Sequence, residues 1–371
     1  MTGNNIPSLY LHVPFCASVC FYCDFARQVY RSDAADRWLD AVETELQGTE
    51  ISDSLETVYI GGGTPSCLSL SQLERLLSML DPYTGEVKEF TVECNPELND
   101  EDKIRCLVSH GVNRISMGLQ TADSGLLKRT GRRHTPDDVK RLVHQFSRRG
   151  ISNISLDLMY GLPEQTMSQL DDSISFALSC KPAHLSLYSL TVEPNSVFGK
   201  QGVTQIDEDL EADMYEHICD VLKHAGYDHY EISNFSLPGK ASPHNSNVWN
   251  YHDFYGIGYG AWGKDRKGRY EHASSLKAYC ADPLYKNYTP LSKNEEMFEC
   301  LMMGLRLKRG VSAELFQTRF GSPFEAIWPV TVRTLKEEGM LEEKDGYLSC
   351  TERGWPVMNS LLVDFMEEAD L

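Results

Sequence analysis

Long apolar runs are missing from this chain: none approaches the roughly 20 consecutive apolar residues that a membrane-spanning helix needs, so no span is expected. Positive charge is scarce too. Lys and Arg number 35 against 54 Asp and Glu, a formal net charge of −19. A surface of that sign repels phosphate backbones and anionic lipid, so nucleic acid is not expected as a partner. One or two placed arginines in a pocket would still suffice for an anionic ligand. The opening segment, Met1 to Pro7, lacks the basic and apolar halves of a signal peptide, which points to a cytoplasmic location. Internal repeats and low-complexity tracts are absent. The 11 cysteines are spread through 371 residues rather than packed as in a small secreted scaffold, so reduced thiols are expected.

What is present is enough apolar residue, 41%, for one large domain with a smaller one attached. Only three cysteines are grouped: Cys16, Cys20 and Cys23, spaced C-x3-C-x2-C, directly after the short apolar run Leu9 to Val13. Three thiolates on one tight loop can hold three corners of a cubane 4Fe-4S cluster, leaving the fourth iron open to a small molecule. The alternatives are buried cysteines, or half of a zinc site that a fourth Cys or His would complete. The next residues, Asp24 and Phe25, supply no soft fourth ligand.

Short β-rich runs alternate with amphipathic stretches. The strands expected are Leu9 to Val13, Thr57 to Ile60, Phe90 to Glu93, Arg114 to Gly118, Ile154 to Met159 and His184 to Leu190. Between them, segments such as Ala34 to Gln47, Ser69 to Leu80, Thr135 to Arg149 and Glu208 to His224 carry apolar residues at helical spacing. This is an α/β pattern, and it predicts a partial (β/α)6 barrel over residues 1–228 whose reactive groups collect at the C-terminal strand ends. The distinctive residues fall there. The cysteines follow the first strand and Gly61-Gly62-Gly63-Thr64-Pro65 the second, Glu93 ends the third, and Gln120 follows the fourth. Asp157 lies in the fifth strand and Tyr188 in the sixth.

Over residues 229–293 the alternation fades into Gly- and aromatic-rich sequence, which suggests a lid or docking region. Residues 294–371 suggest two or three helices followed by two short strands, a winged-helix-like α+β domain. Acidic residues crowd its second half, which favours packing or protein interaction over DNA binding.

The glycine turn is weak evidence alone, because it lacks both the Walker A ending and the dinucleotide spacing. Three segments together are more specific: Tyr10-x-His12-x-Pro14-Phe15-Cys16-x3-Cys20-x-Tyr22-Cys23-Asp24-Phe25, then Gly61 to Ser66, then Asp157-Leu158-Met159-Tyr160-Gly161-Leu162-Pro163. They resemble the radical S-adenosylmethionine enzymes, more narrowly the group that contains oxygen-independent coproporphyrinogen III oxidase and its heme-chaperone relatives. The likeness extends over nearly the whole chain, through Asn113 to Gln120, Tyr230 to Phe235 and the C-terminal unit.

The resemblance implies a 4Fe-4S cluster on Cys16, Cys20 and Cys23, with S-adenosylmethionine chelating the open iron. In that family a reduced cluster cleaves the sulfonium to a 5'-deoxyadenosyl radical, with the protein supplying ligation, orientation and shielding. It also implies that Tyr10, Tyr22, Gly62, Gly63, Thr64, Glu93, Gln120, Arg132 and Asp157 surround the nucleoside. Each has a structural alternative: core packing for Tyr10, a solvated helix-end charge for Arg132, hydrogen bonding within the fold for Gln120 and Asp157, and a helix N-terminus to meet for Glu93.

Within the group, the oxidase loop continues to a further Cys where this chain has Phe25, and its N-terminal arm is longer. Both departures favour the heme-chaperone branch. Ser242 to Trp249 resembles that branch's H-N-x-x-Y-W signature, with Val248 in place of the Tyr. His244 is the expected axial heme ligand and Trp249 a stacking partner. His229, His252, Tyr251, Phe254 and Tyr255 are further contributors to weigh. The function implied is a protein that binds heme and passes it to apo-hemoproteins, with a separate electron donor for the cluster. The alternative is a radical enzyme acting on a porphyrinogen or another tetrapyrrole.

Overall fold

The computed structural model describes residues 6–52, 54–97 and 100–369; the polar start, Met1 to Asn5, lies outside them. Six parallel strands occur in chain order across one sheet: β1 Ser8–Val13, β2 Thr57–Gly62, β3 Glu89–Cys94, β4 Arg114–Gln120, β5 Asn153–Tyr160 and β6 His184–Ser189. Each lies within two residues of its expected bounds. The register keeps their ends together: Ser8 faces Thr57 and Val13 faces Gly62, while Val58 faces Phe90 and Leu156 faces Leu185.

The helices between them bury the stripes that their spacing predicts. Helix Leu70–Thr84 buries Leu73, Leu76, Leu77 and Leu80, and starts in a capping box made by Ser69 and Gln72. Helix Pro136–Arg148 buries Val139, Leu142, Val143 and Phe146 behind the box of Thr135 and Asp138. One contiguous core joins these side chains to Leu9, Leu11, Val58, Ile60, Val92, Ile115, Met117, Leu156 and Leu187 of the strands.

Parallel strands covered by helices on both faces are usually apolar throughout. These are not. The residues alternating with that core set are polar and buried or half-buried: Ser8, Tyr10 and His12; Thr57 and Tyr59; Glu89, Thr91 and Glu93; Arg114 and Ser116; Ser155 and Asp157; His184 and Ser186. With a side-chain period of two, one face of the sheet is apolar and packs on helices, while the other is a polar interior.

Residues 229–293 extend this sheet on both sides. Strand Asn234–Ser236 runs antiparallel to β6 and carries Asp228–Glu231 beyond it. On the other flank Phe254–Ile257 runs parallel to β1, with Tyr255 facing Leu9. Strands Trp262–Asp265, Gly268–Glu271 and Asn287–Thr289 follow antiparallel, which makes a 12-stranded open sheet among the described residues. The short helix Pro243–Trp249 lies across the N-terminal strand ends. Its N-cap Ser242 donates to Glu89 Oε1 at 3.0 Å, His244 Nδ1 meets the Thr57 hydroxyl at 2.9 Å, and the Asn247 amide donates to Ser8 Oγ at 3.1 Å.

That end of the interior holds a buried ion pair, Arg114 Nε to Glu89 Oε2 at 3.8 Å with both side chains 2% exposed. Neither of these two atoms has a hydrogen-bond partner among the described residues. Truncating one partner strands the other charge, so Arg114→Met is expected to cost about 3–5 kcal/mol in guanidinium unfolding, and Glu89→Gln in the same chain to restore much of it.

Past Lys293 a second core forms around Leu301, Phe316, Trp328, Val332, Leu348 and Phe365. It packs helices Lys293–Leu305, Ala313–Phe320, Pro329–Glu337 and Met358–Glu368 on a three-stranded antiparallel sheet, Val311–Ser312, Leu341–Lys344 and Tyr347–Cys350. The helix-then-hairpin order is the one expected; the short strand at Val311 and the last helix add to it. Tyr251 ties this unit to the sheet: its hydroxyl donates to Glu299 Oε2 at 2.7 Å, and Lys264 lies 4.1 Å from its ring centroid. No helix among the described residues is long and apolar enough to cross a membrane.

Candidate functional site

The cysteine loop leaves the end of β1 as a tight excursion. Phe15–Cys16 returns to pair in parallel with Gln28–Val29, so the 11 residues between these two short strands form a closed loop. Arg27 staples it from inside, donating to the carbonyls of Cys23, Cys20 and Phe25. All three cysteines line one cavity of about 510 Å³ at the C-terminal strand ends. Each of two sulfurs meets a donor: the Thr64 hydroxyl lies 3.7 Å from Cys16 Sγ and Arg132 Nη1 lies 3.6 Å from Cys20 Sγ.

Burial pushes the Cys16 thiol up, against the Thr64 hydrogen bond, and pushes the Cys23 thiol up to about 11. Thiols held so high become thiolates when a metal replaces the proton. Among the described residues no three His, Cys, Asp or Glu side chains gather closely enough to grip a single metal ion. Three sulfurs spread around a cavity wall, with cationic and hydroxyl donors behind them, fit the corners of an iron–sulfur cube.

The polar interior supplies the rest of the wall. Glu93 accepts from the Tyr59 hydroxyl at 2.8 Å and from the Gly62 N–H at 3.1 Å. Burial raises its carboxyl to about 7 despite those bonds, and the neighbouring Asp157 adds to the rise. Asp157, also raised by burial, accepts from the Ser116 hydroxyl at 3.1 Å through each oxygen. Two carboxylates sharing one buried cavity and pushed toward their neutral forms call for a cation. The sulfonium and ammonium of S-adenosylmethionine answer that requirement, so the residues fit both groups.

Backbone shape explains the glycines. Gly62 has φ +103, and a Cβ on Gly63 would stand 2.5 Å from the Phe15 carbonyl oxygen and 2.8 Å from that of Val13. Gly63 therefore lets the turn press against the cysteine loop, with its N–H on the Val13 carbonyl at 2.8 Å and the Thr64 N–H on that of Phe15 at 2.7 Å. Gln120 holds φ +65 at a β-bulge against β5. A strained non-glycine residue at a strand end is a device for aiming a side chain.

Of the residues expected, Tyr22, Gly62, Gly63, Thr64, Glu93, Gln120, Arg132 and Asp157 line the same cavity as the cysteines. Arg132 is buried rather than solvated, and besides Cys20 it donates to the Gly118 carbonyl at 2.9 Å. Tyr10 stands next door. It lines an adjoining cavity of about 640 Å³ that shares Gly62 and Glu93, and its hydroxyl meets His12 Nδ1 at 2.9 Å.

His244 is not brought to either cavity. Its side chain is 5% exposed, its ring lies tilted against Tyr59 with centroids 5.1 Å apart, and burial lowers its pKa to about 3; the imidazole packs the floor of the interior, and the neighbouring Asn245 faces the cavity instead. Unforeseen members of the wall are Tyr59, Asn95, Arg114, Ser116 and Ser186. The alternation of polar and apolar residues along each strand was the signal that would have found four of them.

The chain matches the radical SAM superfamily over residues 10–177 and the HemN C-terminal domain over residues 291–357. Its fold is that of coproporphyrinogen III oxidase (HemN) from Escherichia coli, with a TM-score of 0.84 over 98% of this chain and 91% of that one, at 19% identity. Similar proteins include the heme chaperones HemW of Bacillus subtilis, 35% identical over 97% of this chain and 99% of that protein, and of Escherichia coli, 33% identical over 97% and 98%. The HemW of Lactococcus lactis subsp. lactis is 39% identical over 97% of both chains. With this likeness running end to end through the cysteine loop, the polar sheet face and the C-terminal unit, the chain belongs to the HemW family of radical SAM proteins.

Proposed function

We propose that this chain is a heme chaperone, which binds heme and delivers it to apo-hemoproteins while carrying a 4Fe-4S cluster and S-adenosylmethionine. The observation that carries the reading is its 39% identity across 97% of both chains with a protein named for that activity. The resemblance to the oxidase, at 19% identity, speaks for the fold alone. Cytoplasmic location, an electron donor for the cluster and apo-hemoprotein recipients belong to the same proposal.

Bound there, the cluster and the nucleoside supply one-electron chemistry at a sulfonium. The chain's own residues do the holding. Cys16, Cys20 and Cys23 ligate, and Arg132 and Thr64 donate toward two of the sulfurs. Glu93 and Asp157 face the cationic groups of the nucleoside. Gly62 and Gly63 allow its amino acid part to approach backbone, and Gln120 is set by its bulge to reach a polar group of the ligand. Tyr22, between two ligands and half-buried against the cavity, shields the loop from water.

The test is a hemin titration of anoxically prepared full chain, run beside an incubation with coproporphyrinogen III, reductant and S-adenosylmethionine. A saturable Soret change without release of carbon dioxide is the expected pair of results. Joint release of carbon dioxide and 5'-deoxyadenosine, or no saturable heme binding, would contradict the proposal.

A further inference from the structure

With His244 packed into the floor, the heme-binding reading lacks an iron ligand and a place for the macrocycle. A heme site needs an apolar wall for a flat ring, a free imidazole for the iron and cations for two carboxylates. The cavity holding Tyr10 contains two histidines, both committed. His12 bonds Tyr10 and the Ala26 carbonyl, and His272 is fully enclosed, its Nε2 on Glu45 and the Gly256 carbonyl and its Nδ1 buried without a partner among the described residues. The cysteine cavity contains no histidine among its lining residues.

A third cavity, of about 580 Å³, lies at the opposite end of the strands, between the turn after helix Pro243–Trp249 and the C-terminal unit. Its size suits a small-molecule ligand, since such sites run from about 300 to 1,000 Å³. Trp249, Val311, Leu315 and Phe316 give it an apolar wall. Leu315 is left 59% exposed, and the Trp249 Nε1–H is buried without a partner.

The turn that presents its histidine is built under strain. Tyr251 takes φ +60 at the helix C-terminus, where its N–H bonds the Val248 carbonyl at 2.9 Å and the His252 N–H bonds that of Asn247 at 3.1 Å. Glycine usually fills that left-handed position. Here a tyrosine is held there by its ring contacts with Lys264 and Arg319. The residue after it, His252, is exposed and lines the cavity, and its imidazole makes no hydrogen bond among the described residues. Desolvation by the cavity wall, with Arg319 and Lys264, lowers its pKa against the pull of Glu56 and Asp253, which favours the neutral form that ligates iron.

The charges around it have been sorted. Asp253 is taken up by Lys264 at 2.5 Å and Glu56 by Lys88 at 3.1 Å. Arg319 spends one nitrogen on the Tyr251 carbonyl at 3.0 Å and has no acidic partner among the described residues. Cys300 lines the wall too, but it is only 8% exposed, whereas His252 is open to the cavity.

We propose that heme docks in this cavity with His252 on its iron, its ring against Trp249, Leu315 and Phe316, and its carboxylates toward Arg319. The inference rests on the heme-chaperone reading and places the cargo away from the cluster, at the other end of the six strands.

The test uses the full chain, hemin and iron-free protoporphyrin IX, with two variants at exposed positions that leave the core intact. His252→Ala is expected to bind hemin at least about tenfold more weakly, with a displaced Soret band, yet to bind protoporphyrin IX as the wild type does. Leu315→Glu is expected to weaken both by a similar factor, because it blocks the wall rather than the iron. If the wild type binds hemin and both variants match it in affinity and spectrum, the site is wrong and the chaperone reading stands. If the wild type shows no saturable hemin binding, the reading itself falls and the site with it.

Discussion

Anoxic reconstitution of Cys20→Ser is expected to leave a folded chain that retains almost none of the iron and sulfide held by the wild type. The argument follows from ligand count. Removing an outer-shell partner of a metal site already costs about 10–100-fold in affinity, so removing one of three thiolates should exceed the upper figure. Arg132→Gln, which deletes only the donor 3.6 Å from Cys20 Sγ, should fall inside that range. Cys106→Ser, on helix Glu101–Ser109 and outside the cysteine cavity, should retain the full complement. The fold should survive all three, because the loop is closed by backbone pairing of Phe15–Cys16 with Gln28–Val29 and by Arg27, not by the metal. Iron and acid-labile sulfide per chain, with circular dichroism as the control for folding, would check the order; equal retention in Cys20→Ser and wild type would contradict the ligand assignment.

Glu93→Gln is the second large effect, and it acts on nucleoside binding. Removing one partner of a desolvated charge pair costs about 2–5 kcal/mol, at least about thirtyfold in Kd. The sign of the pH dependence follows from the carboxyl's position. Burial lifts Glu93 from the ordinary carboxylate range to about 7 in the folded chain, so the folded state binds a proton more tightly than the unfolded one. Its contribution to stability is full below the unfolded pKa and is lost as pH rises through about 7, an amplitude of roughly 3 kcal/mol. A bound cation reverses the preference, because it needs the ionised form.

S-adenosylmethionine affinity of the wild type should therefore climb as pH rises toward about 7 and level off above it. The Gln variant should bind weakly with a flat profile and lose less stability between acid and neutral pH. Equilibrium dialysis of the cluster-loaded protein between pH 5.5 and 8.5, paired with denaturant midpoints over the same range, reads both. An unchanged Kd in the variant would remove Glu93 from the site.

Local chemistry made much of this molecule legible in its sequence. The cysteine spacing, the glycine triplet after β2 and the apolar stripes of helices such as Leu70–Thr84 are all encoded within a few residues. The helix Glu208–His224 even begins and ends at the expected residues, because Asp207 caps it and acidic residues fill its first turn. What escaped depends on long-range pairing. Tyr255 joins the sheet against Leu9, and nothing near Tyr255 in the chain announces that partner.

His244 is the sharper case. A histidine followed by Asn and, five places on, Trp resembles a heme motif, but its ring is claimed by Thr57 and Tyr59, residues nearly two hundred positions earlier. Arg132 goes the other way: the resemblance places it in the site, while the turn around it leaves a solvated charge equally open until Cys20 and the Gly118 carbonyl are folded against it. The polar interior was open to view all along. Thr57 and Tyr59, Thr91 and Glu93, Arg114 and Ser116, Ser155 and Asp157 alternate with apolar residues on strands that should otherwise be uniformly apolar, and that departure marks the face that carries the chemistry.

The most direct check of the central claim is the electron-paramagnetic spectrum of the anoxically purified, dithionite-reduced protein recorded with and without S-adenosylmethionine. A 4Fe-4S signal whose g values shift when the nucleoside is added is the predicted result, since only an iron left open by Cys16, Cys20 and Cys23 can receive it. A signal indifferent to the nucleoside, or a preparation whose three thiols hold zinc, would contradict it.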